Sequence, residues 1–207
     1  MKNEAALQNV AEKLVEYASE GTTFKTDKIT TVPYTAYTDS DIWQKEVDNI
    51  FKKLPLCLAT TAELKVRAFL NVCAHRGAPV ANKGCGQKSR FTCKYHGWTY
   101  TNTGSLMGVS EQKTFGEIKK EKRGLREFPC EEKSGLIFVI LTPDEPMELT
   151  AFMSGMLEDL ENANFKDWAY LGSREIEGAN WKIAFDGYLE GYHFSQLHPE
   201  TIHPRTI

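Results

Sequence analysis

The sequence predicts an α+β protein with N-terminal helices, a mainly antiparallel β domain, and further mixed structure toward the C-terminus. Three observations carry this. Apolar residues recur at helical spacing near the N-terminus, strand-like alternation and turn signals fill the middle, and an unbroken apolar run precedes two prolines.

Leu7, Val10, Ala11, Leu14, Val15 and Ala18 make one face of a packing helix over 4–19, and Gly21 is its stop. A second helix is expected from Thr38, whose hydroxyl would cap it, with Asp39 and Asp41 in the positive first turn. Ile42, Val47, Ile50 and Phe51 form its buried side, and Lys52 and Lys53 suit its negative end. Val66, Ala68, Leu70 and Val72 alternate with Arg67, Phe69 and Asn71, so a half-buried strand leads into Cys73. Ser89 to Thr92 leads into Cys93, Trp98 to Thr101 leaves it, and Asn102-Thr103-Gly104 turns the chain back. Leu136 to Leu141 reads as a strand buried on both faces, and Pro143 and Pro146 end the domain. Phe152, Met153, Met156, Leu157 and Leu160 predict a packing helix over 150–162, and residues 169–176 open a new sheet. The charged run Glu117 to Arg126 reads as a solvated loop. The domain division is 1–53 for the helical segment, 54–148 for the β domain, and 149–207 for a linker helix and the incomplete start of another domain.

With 207 residues the chain holds one to one and a half ordinary domains. A net charge of −3 and a pI near 6.0 give no electrostatic footprint for nucleic acid. The longest apolar run is too short to span a bilayer, and the N-terminus lacks the succession of a signal peptide. Cys57, Cys85 and Cys130 are read as reduced thiols, and the expected location is the cytoplasm.

The chemistry concentrates between Cys73 and His96. One loop reads Cys73-Ala74-His75-Arg76-Gly77, and after seventeen residues beyond His75 a second reads Cys93-Lys94-Tyr95-His96-Gly97-Trp98. Each loop offers one thiolate and one imidazole. Two cysteines on one iron and two histidines on the other suit a [2Fe-2S] cluster, and neutral imidazole raises its potential above an all-cysteine cluster. Structural zinc is the alternative, but zinc pairs come as like ligands together, Cys with Cys and His with His.

The stretch resembles the Rieske iron–sulfur motif. Its flanks, Asn71-Val72-Cys73-Ala74-His75-Arg76-Gly77 and Tyr95-His96-Gly97-Trp98, look like those of Rieske non-haem iron oxygenases of the aromatic-ring-hydroxylating dioxygenase type. Respiratory Rieske proteins carry an extra cysteine in each loop, where this chain has Ala78 and Tyr95. Relatives usually have two further strands ahead of the first cluster cysteine, so the chain is shortened near residues 54–65.

A second constellation lies near the C-terminus. Asp186, Glu190 and His193 are spaced by four and three, which puts them on one face of a helix, and His198 follows. Two histidines with upstream carboxylates fit part of a 2-His-1-carboxylate site for non-haem Fe(II). Asn180-Trp181-Lys182, Glu190-Gly191-Tyr192-His193 and His198-Pro199 resemble the start of the catalytic domain in the same oxygenases. The resemblance makes His193 and His198 ligands of the mononuclear Fe(2+), and gives Glu190 the place of a bridging carboxylate. That carboxylate links an iron-ligand histidine to the second cluster histidine, here His96, of a neighbouring subunit. Asp186 stands where relatives often have Asn and is a further catalytic candidate.

The resemblance therefore implies the oxygenase component of a multicomponent mono- or dioxygenase, with a [2Fe-2S] cluster and Fe(2+) as cofactors. A ferredoxin or an NAD(P)H-dependent reductase would supply electrons, and O2 and a small organic substrate would be consumed in hydroxylation, dihydroxylation or demethylation. A homotrimer is the expected assembly, without nucleic acid or membrane. The family's third iron ligand, an Asp far downstream, is not in this sequence, so the chain is expected to be an N-terminal part without turnover of its own; His203 is a poor substitute. The rivals are a Rieske-type ferredoxin, which needs nothing like Asn180 to His198, and a zinc-binding scaffold.

One geometric expectation completes the reading. Residues five apart on a regular α-helix point about 140° from each other, so His193 and His198 reach one iron only if the helix changes between them. A π-type turn would do this, but Pro199 biases His198 away from helical geometry and favours a helix end.

Overall fold

A computed structural model describes residues 2–24, 27–60, 66–82, 84, 86–169, 171–172 and 174–202. The chain divides into two units, one of residues 1–40 and 174–207, the other of residues 41–173.

In the first unit α1 (Lys2–Glu20) ends as the sequence predicts. Gly21, at φ +63°, donates to the Ala18 carbonyl while Thr22 N–H donates to Tyr17, which is a Schellman stop. The helix forms, but the apolar face read as packing is open: Leu7, Val10, Leu14 and Val15 are all more than half exposed. Its helical character is therefore local, supported by pairs such as Gln8 with Glu12 at i,i+4. The short α2 (Thr35–Thr38) follows. Thr38 closes this turn instead of capping the next helix, and its hydroxyl bonds back to the Tyr34 carbonyl. The unit resumes with α6 (Trp181–Leu189) and α7 (Phe194–Leu197), described with the site below.

The second unit opens where α3 (Ser40–Glu46) runs into a π-helical turn over Val47–Phe51. The expected second helix is thus two pieces: Asp39 is extended (φ −74°, ψ 126°) and ends α2, so the acidic first turn belongs to α3 alone. The strands are β1 (Leu56–Thr60), β2 (Ala68–Phe69), β3 (Arg90–Thr92), β4 (Thr99–Thr101), β5 (Leu106–Gly108), β6 (Glu127–Phe128), β7 (Cys130–Lys133) and β8 (Leu136–Val139). They make three antiparallel sheets ordered β1-β8-β7, β2-β6 and β3-β4-β5.

The predicted apolar strand is β8, central in its sheet as a run without alternation requires. Its burial ends at Ile140, and Leu141 is exposed. Ser134 and Gly135, both at positive φ, form the two-residue turn between β7 and β8, and the Gly135 N–H donates to Glu132. The strand expected over Val66 to Val72 shrinks to Ala68–Phe69, extended by Leu70 N–H to the Arg126 carbonyl. Leu70 and Val72 are exposed because the chain leaves the β2-β6 pair there to form the first cysteine loop.

The helix predicted over 150–162 is broken into α4 (Leu149–Met153) and α5 (Met156–Ala163). Ser154 stands between them at φ 47°, ψ −128°, and no helix continues through that conformation. Residues 169–176 contain no strand among the described residues. The run Glu117 to Arg126 holds a 3-10 turn over Lys120–Lys122 and walls a cavity, which is more than a solvated loop. Cys85, His203 and residues 61–65, where the shortening is expected, lie outside the described residues.

Two small cores hold this unit. One joins Cys73, Cys93, Trp98, Tyr100 and Leu106, and the other packs Phe138 of β8 against Leu149 and Met153 of α4. Leu149 is only 1 % exposed, so Leu149→Ala removes buried methyls and leaves a cavity. We expect it to lower unfolding free energy by about 2–5 kcal/mol in urea titration. Arg126→Ala, which removes an ion pair with Asp144 open to solvent on both sides, should cost less than about 1 kcal/mol.

Candidate metal centres

The first centre is built by two loops that share a hydrogen-bond frame. In one, Cys73 N–H donates to the Ala78 carbonyl (2.8 Å) and Gly77 N–H to the Cys73 carbonyl (3.0 Å). In the other, Cys93 N–H donates to the Trp98 carbonyl (2.8 Å) and Gly97 N–H to the Cys93 carbonyl (2.9 Å). Both closing glycines are left-handed, at φ +76° and +68°, where a side chain is strained. At Gly97 an added Cβ would also collide with the Ser110 hydroxyl.

Sheet and side chains hold these loops. β3 delivers Cys93 and β4 leaves it, with Phe91 opposite Tyr100. Asn71 pins the far end of the first loop: its Oδ1 accepts from the Val80 and Ala81 N–H groups, and its Nδ2 donates to the Ala81 carbonyl. Sequence reasoning took Asn71 only as a motif flank. Tyr100, fully buried, was also passed over, although alternation along Trp98 to Thr101 points it inward with Trp98. The Tyr100 hydroxyl lies 3.2 Å from Cys73 Sγ and accepts the Ala74 N–H at 3.0 Å. Burial, then the bond to Cys73, pushes its phenol well above the ordinary tyrosine range.

The structure pairs the cluster candidates: the two cysteines share one core, and the two histidines are neighbours. Cys73 and Cys93 are buried, and the His75 and His96 rings stand 4.6 Å apart at 65°. Trp98 stacks on His75, with centroids 4.9 Å apart and planes within 6°, and Tyr95 covers His96. Burial, with the charges of His96, Arg76 and Arg123, lowers the His75 pKa and favours the neutral, ligating imidazole. Among the described residues, His75 Nδ1 and Trp98 Nε1 are the buried side-chain nitrogens or oxygens without a partner. An unsatisfied buried imidazole nitrogen beside a second imidazole and two buried thiols is the donor set that a two-iron cluster needs. No three His, Cys, Asp or Glu side chains among the described residues converge on one ion, and a cluster with two protein ligands per iron asks only for two pairs.

A cavity of about 600 Å³ opens at His75, walled by Trp98, Phe115, Glu117, Ile118, Lys119, Lys122 and Arg123.

The second centre belongs to the other unit. Asn180 caps α6 by accepting from Lys182 N–H at 2.9 Å, and its amide donates to the Tyr37 carbonyl. Lys182 Nζ donates to the Ala36 carbonyl, and the Tyr37 hydroxyl donates to Asp186 at 2.8 Å, which raises the Tyr37 pKa. The shared helical face expected of Asp186, Glu190 and His193 does not form, because α6 ends at Leu189 and Glu190 is extended (φ −122°, ψ 147°). The cause is local competition: Glu190 Oε2 accepts from the Tyr192 and His193 N–H groups, and Oε1 bonds His193 Nδ1 at 2.5 Å.

The helix therefore ends four residues before His193, earlier than expected. His193 opens α7, and His198 closes it outside helical geometry at φ −127°. The two rings stand 5.6 Å apart at 67°, with no π turn. Glu190, His193 and His198 line one cavity of about 550 Å³, whereas Asp186 faces Tyr37 and is not among its lining residues. With Nδ1 held by Glu190, His193 keeps Nε2 free for a metal, the usual arrangement of a ligating histidine and its carboxylate.

Known proteins match both parts of the chain. Residues 32–129 match the family model for the Rieske [2Fe-2S] domain, and residues 165–206 that for the catalytic domain of the ring hydroxylating alpha subunit. The anthranilate 1,2-dioxygenase large subunit of Burkholderia cepacia is 26% identical over 84% of this chain and 49% of its own length. The carnitine monooxygenase oxygenase subunit of Acinetobacter pittii is 30% identical over 82% of this chain and 53% of its own. The chain thus spans about half the length of these relatives. Among solved structures, a quaternary ammonium Rieske monooxygenase with L-carnitine superposes with a TM-score of 0.75 at 28% identity, covering 86% of this chain and 57% of that one. Naphthalene 1,2-dioxygenase from Rhodococcus gives 0.70 at 27% identity, over 93% of this chain and 49% of that one. Two loops that each carry a buried thiol and an imidazole, followed by a second histidine pair with its own carboxylate, are joined in one chain in the α subunits of Rieske non-haem iron oxygenases, and this chain belongs to that family.

Proposed function

We propose that this chain is the electron-accepting and iron-binding part of an oxygenase component. In this reading Cys73 and Cys93 hold one iron of a [2Fe-2S] cluster and His75 and His96 the other, within a β domain over about 54–148. His193 and His198 bind the mononuclear Fe(2+). The observation that carries the reading is the orphaned His75 Nδ1, buried beside His96. The mixed loops disfavour zinc, and the match over 165–206 disfavours a ferredoxin.

When bound, the two metal centres supply single-electron transfer and O2 activation. The chain's own residues orient them. Trp98 stacking and the Tyr95 contact set the two imidazole planes, and the closed loops exclude water from the thiolates. Glu190 fixes the tautomer and aim of His193, whereas Asp186 is bonded to Tyr37 and is not among the residues lining that cavity. The partners are a ferredoxin or NAD(P)H-dependent reductase, O2 and a small organic substrate, with further copies of the chain bringing His96 near a neighbour's Glu190. Among the described residues no helix is long and apolar enough to cross a membrane, and the proposed location is the cytoplasm.

Anaerobic reconstitution with iron and sulfide tests the reading. The reduced protein should give the low-average-g EPR signal of mixed Cys/His ligation, and His96→Cys should lower the potential because an anion replaces a neutral ligand. A silent spectrum, or an unmoved potential with the cluster intact, would overturn the assignment.

Glu190 makes a separate prediction. The His193 ring, then the backbone N–H groups of Tyr192 and His193, hold its carboxyl below the ordinary range. A depressed folded pKa means that its stabilisation is complete above about pH 4.3 and is lost as pH falls through the lowered value. NMR titration of the Glu190 carboxyl should show this midpoint below the free value, moving back up in His193→Ala. A midpoint at or above the free value would contradict the contact.

A further inference from the structure

The cavity beside His75 has a wall that the metal chemistry leaves unused. Its volume of about 600 Å³ is within the ~300–1,000 Å³ usual for small-molecule sites. Three cationic residues, Lys119, Lys122 and Arg123, line it together with one carboxylate, Glu117. Among the described residues none of the three cationic side chains is hydrogen-bonded or ion-paired. Burial, then the charges of His96, Arg76 and Arg123, lowers the His75 pKa, so the Arg123 charge is felt at the ring. The rest of the lining is apolar. Trp98 stacks on His75, Phe115 meets the same ring edge-on at 6.1 Å, and Ile118 adds an aliphatic patch. Phe115 is 41 % exposed, although an aromatic ring in that position gains by being covered.

We propose that this cavity binds a small organic monoanion, an aryl or similarly flat carboxylate, between the cations of the 119–123 run and the apolar wall around Phe115. A guanidinium holds a carboxylate through two parallel N–H bonds, which suits Arg123. The lysines add attraction without fixing direction. The apolar body of the ligand lies against Phe115 and Ile118 and covers the exposed ring. Glu117 sets the opposite limit, because a second negative charge, as on phosphate, meets a carboxylate on the same wall. A neutral guest would leave the three cations uncompensated. The site uses its lining residues as they stand and does not depend on what His75 ligates.

The experiment titrates 4-fluorobenzoate into the full chain and follows its 19F resonance. We expect a single saturable site, weakened about tenfold by Arg123→Gln and about tenfold by Phe115→Ala. Both side chains are exposed, so the variants should melt with the unaltered chain. Lys45→Gln, on the exposed surface of α3, should leave binding unchanged. 4-Fluorobenzyl alcohol has the ring without the charge, and inorganic phosphate the charge without the ring. Each should bind more weakly than 4-fluorobenzoate by about tenfold or more. Absence of saturable binding, or binding that either wall variant leaves unchanged, would overturn the proposal. Equal binding of the alcohol would mean an apolar hollow only, and equal competition by phosphate an adventitious ion only; either result overturns it. Light scattering decides the remaining case. A chain that self-associates, takes no 4-fluorobenzoate and comes apart in Arg123→Gln would assign the cavity to another copy of itself, which also overturns the proposal.

Discussion

Burying two thiols side by side is the constraint on which the second unit is built. Cys73 and Cys93 sit in the same small core, yet each begins a loop whose backbone must turn sharply and satisfy its own polar groups. The solution is two matched turns, each closed by a left-handed glycine and by a backbone bond from the cysteine N–H to the carbonyl five positions on. β3 and β4 are short because they only need to reach from one loop to the next hairpin. The β2-β6 pair is shorter still, since it releases the chain before Cys73. Trp98 and Tyr100 fill the core between the loops, and Asn71 ties down loop backbone at the surface.

The second centre obeys a different rule. Glu190 commits both carboxylate oxygens to its immediate neighbours, so backbone conformation and imidazole orientation are decided by one side chain. That choice ends α6 and starts α7, and it brings the two histidine rings within reach of each other without a distorted helix. Asp186, four residues earlier, is drawn to Tyr37 instead.

Much of this was legible beforehand because it rests on local chemistry. The cysteine and histidine spacing picked out the two loops, Gly21 marked the helix stop, and the run Leu136 to Leu141 marked a central strand. What could not be read were the places where a side chain competes with periodicity. The pattern through Asp186, Glu190 and His193 looks helical, and only the carboxylate's bonds to Tyr192 and His193 show why it is not. Ser154 breaks an apolar stripe by taking the positive φ itself while the adjacent Gly155 stays at φ −66°, and Asp39 divides a predicted helix while resembling its first turn. The α1 stripe illustrates the reverse: its spacing correctly forecast a helix but said nothing about whether the face would be covered. The charged run after Glu117 looked like solvent-facing filler, and its contribution to the wall beside His75 depends on the path of the chain in space.

The two cysteine loops share their frame but not their histidine position. His75 stands two residues after its cysteine and His96 three, while the cysteine and the glycine keep the same places in both. If the histidines were matched too, the loops would be related by an approximate two-fold axis and would present their rings alike. Shifting one ring by a single residue inside an unchanged frame breaks that symmetry without touching a backbone hydrogen bond. Scaffold and side chain are therefore separable variables in this fold: the frame is a socket of fixed shape, and the residue that occupies it decides the direction in which an imidazole is presented.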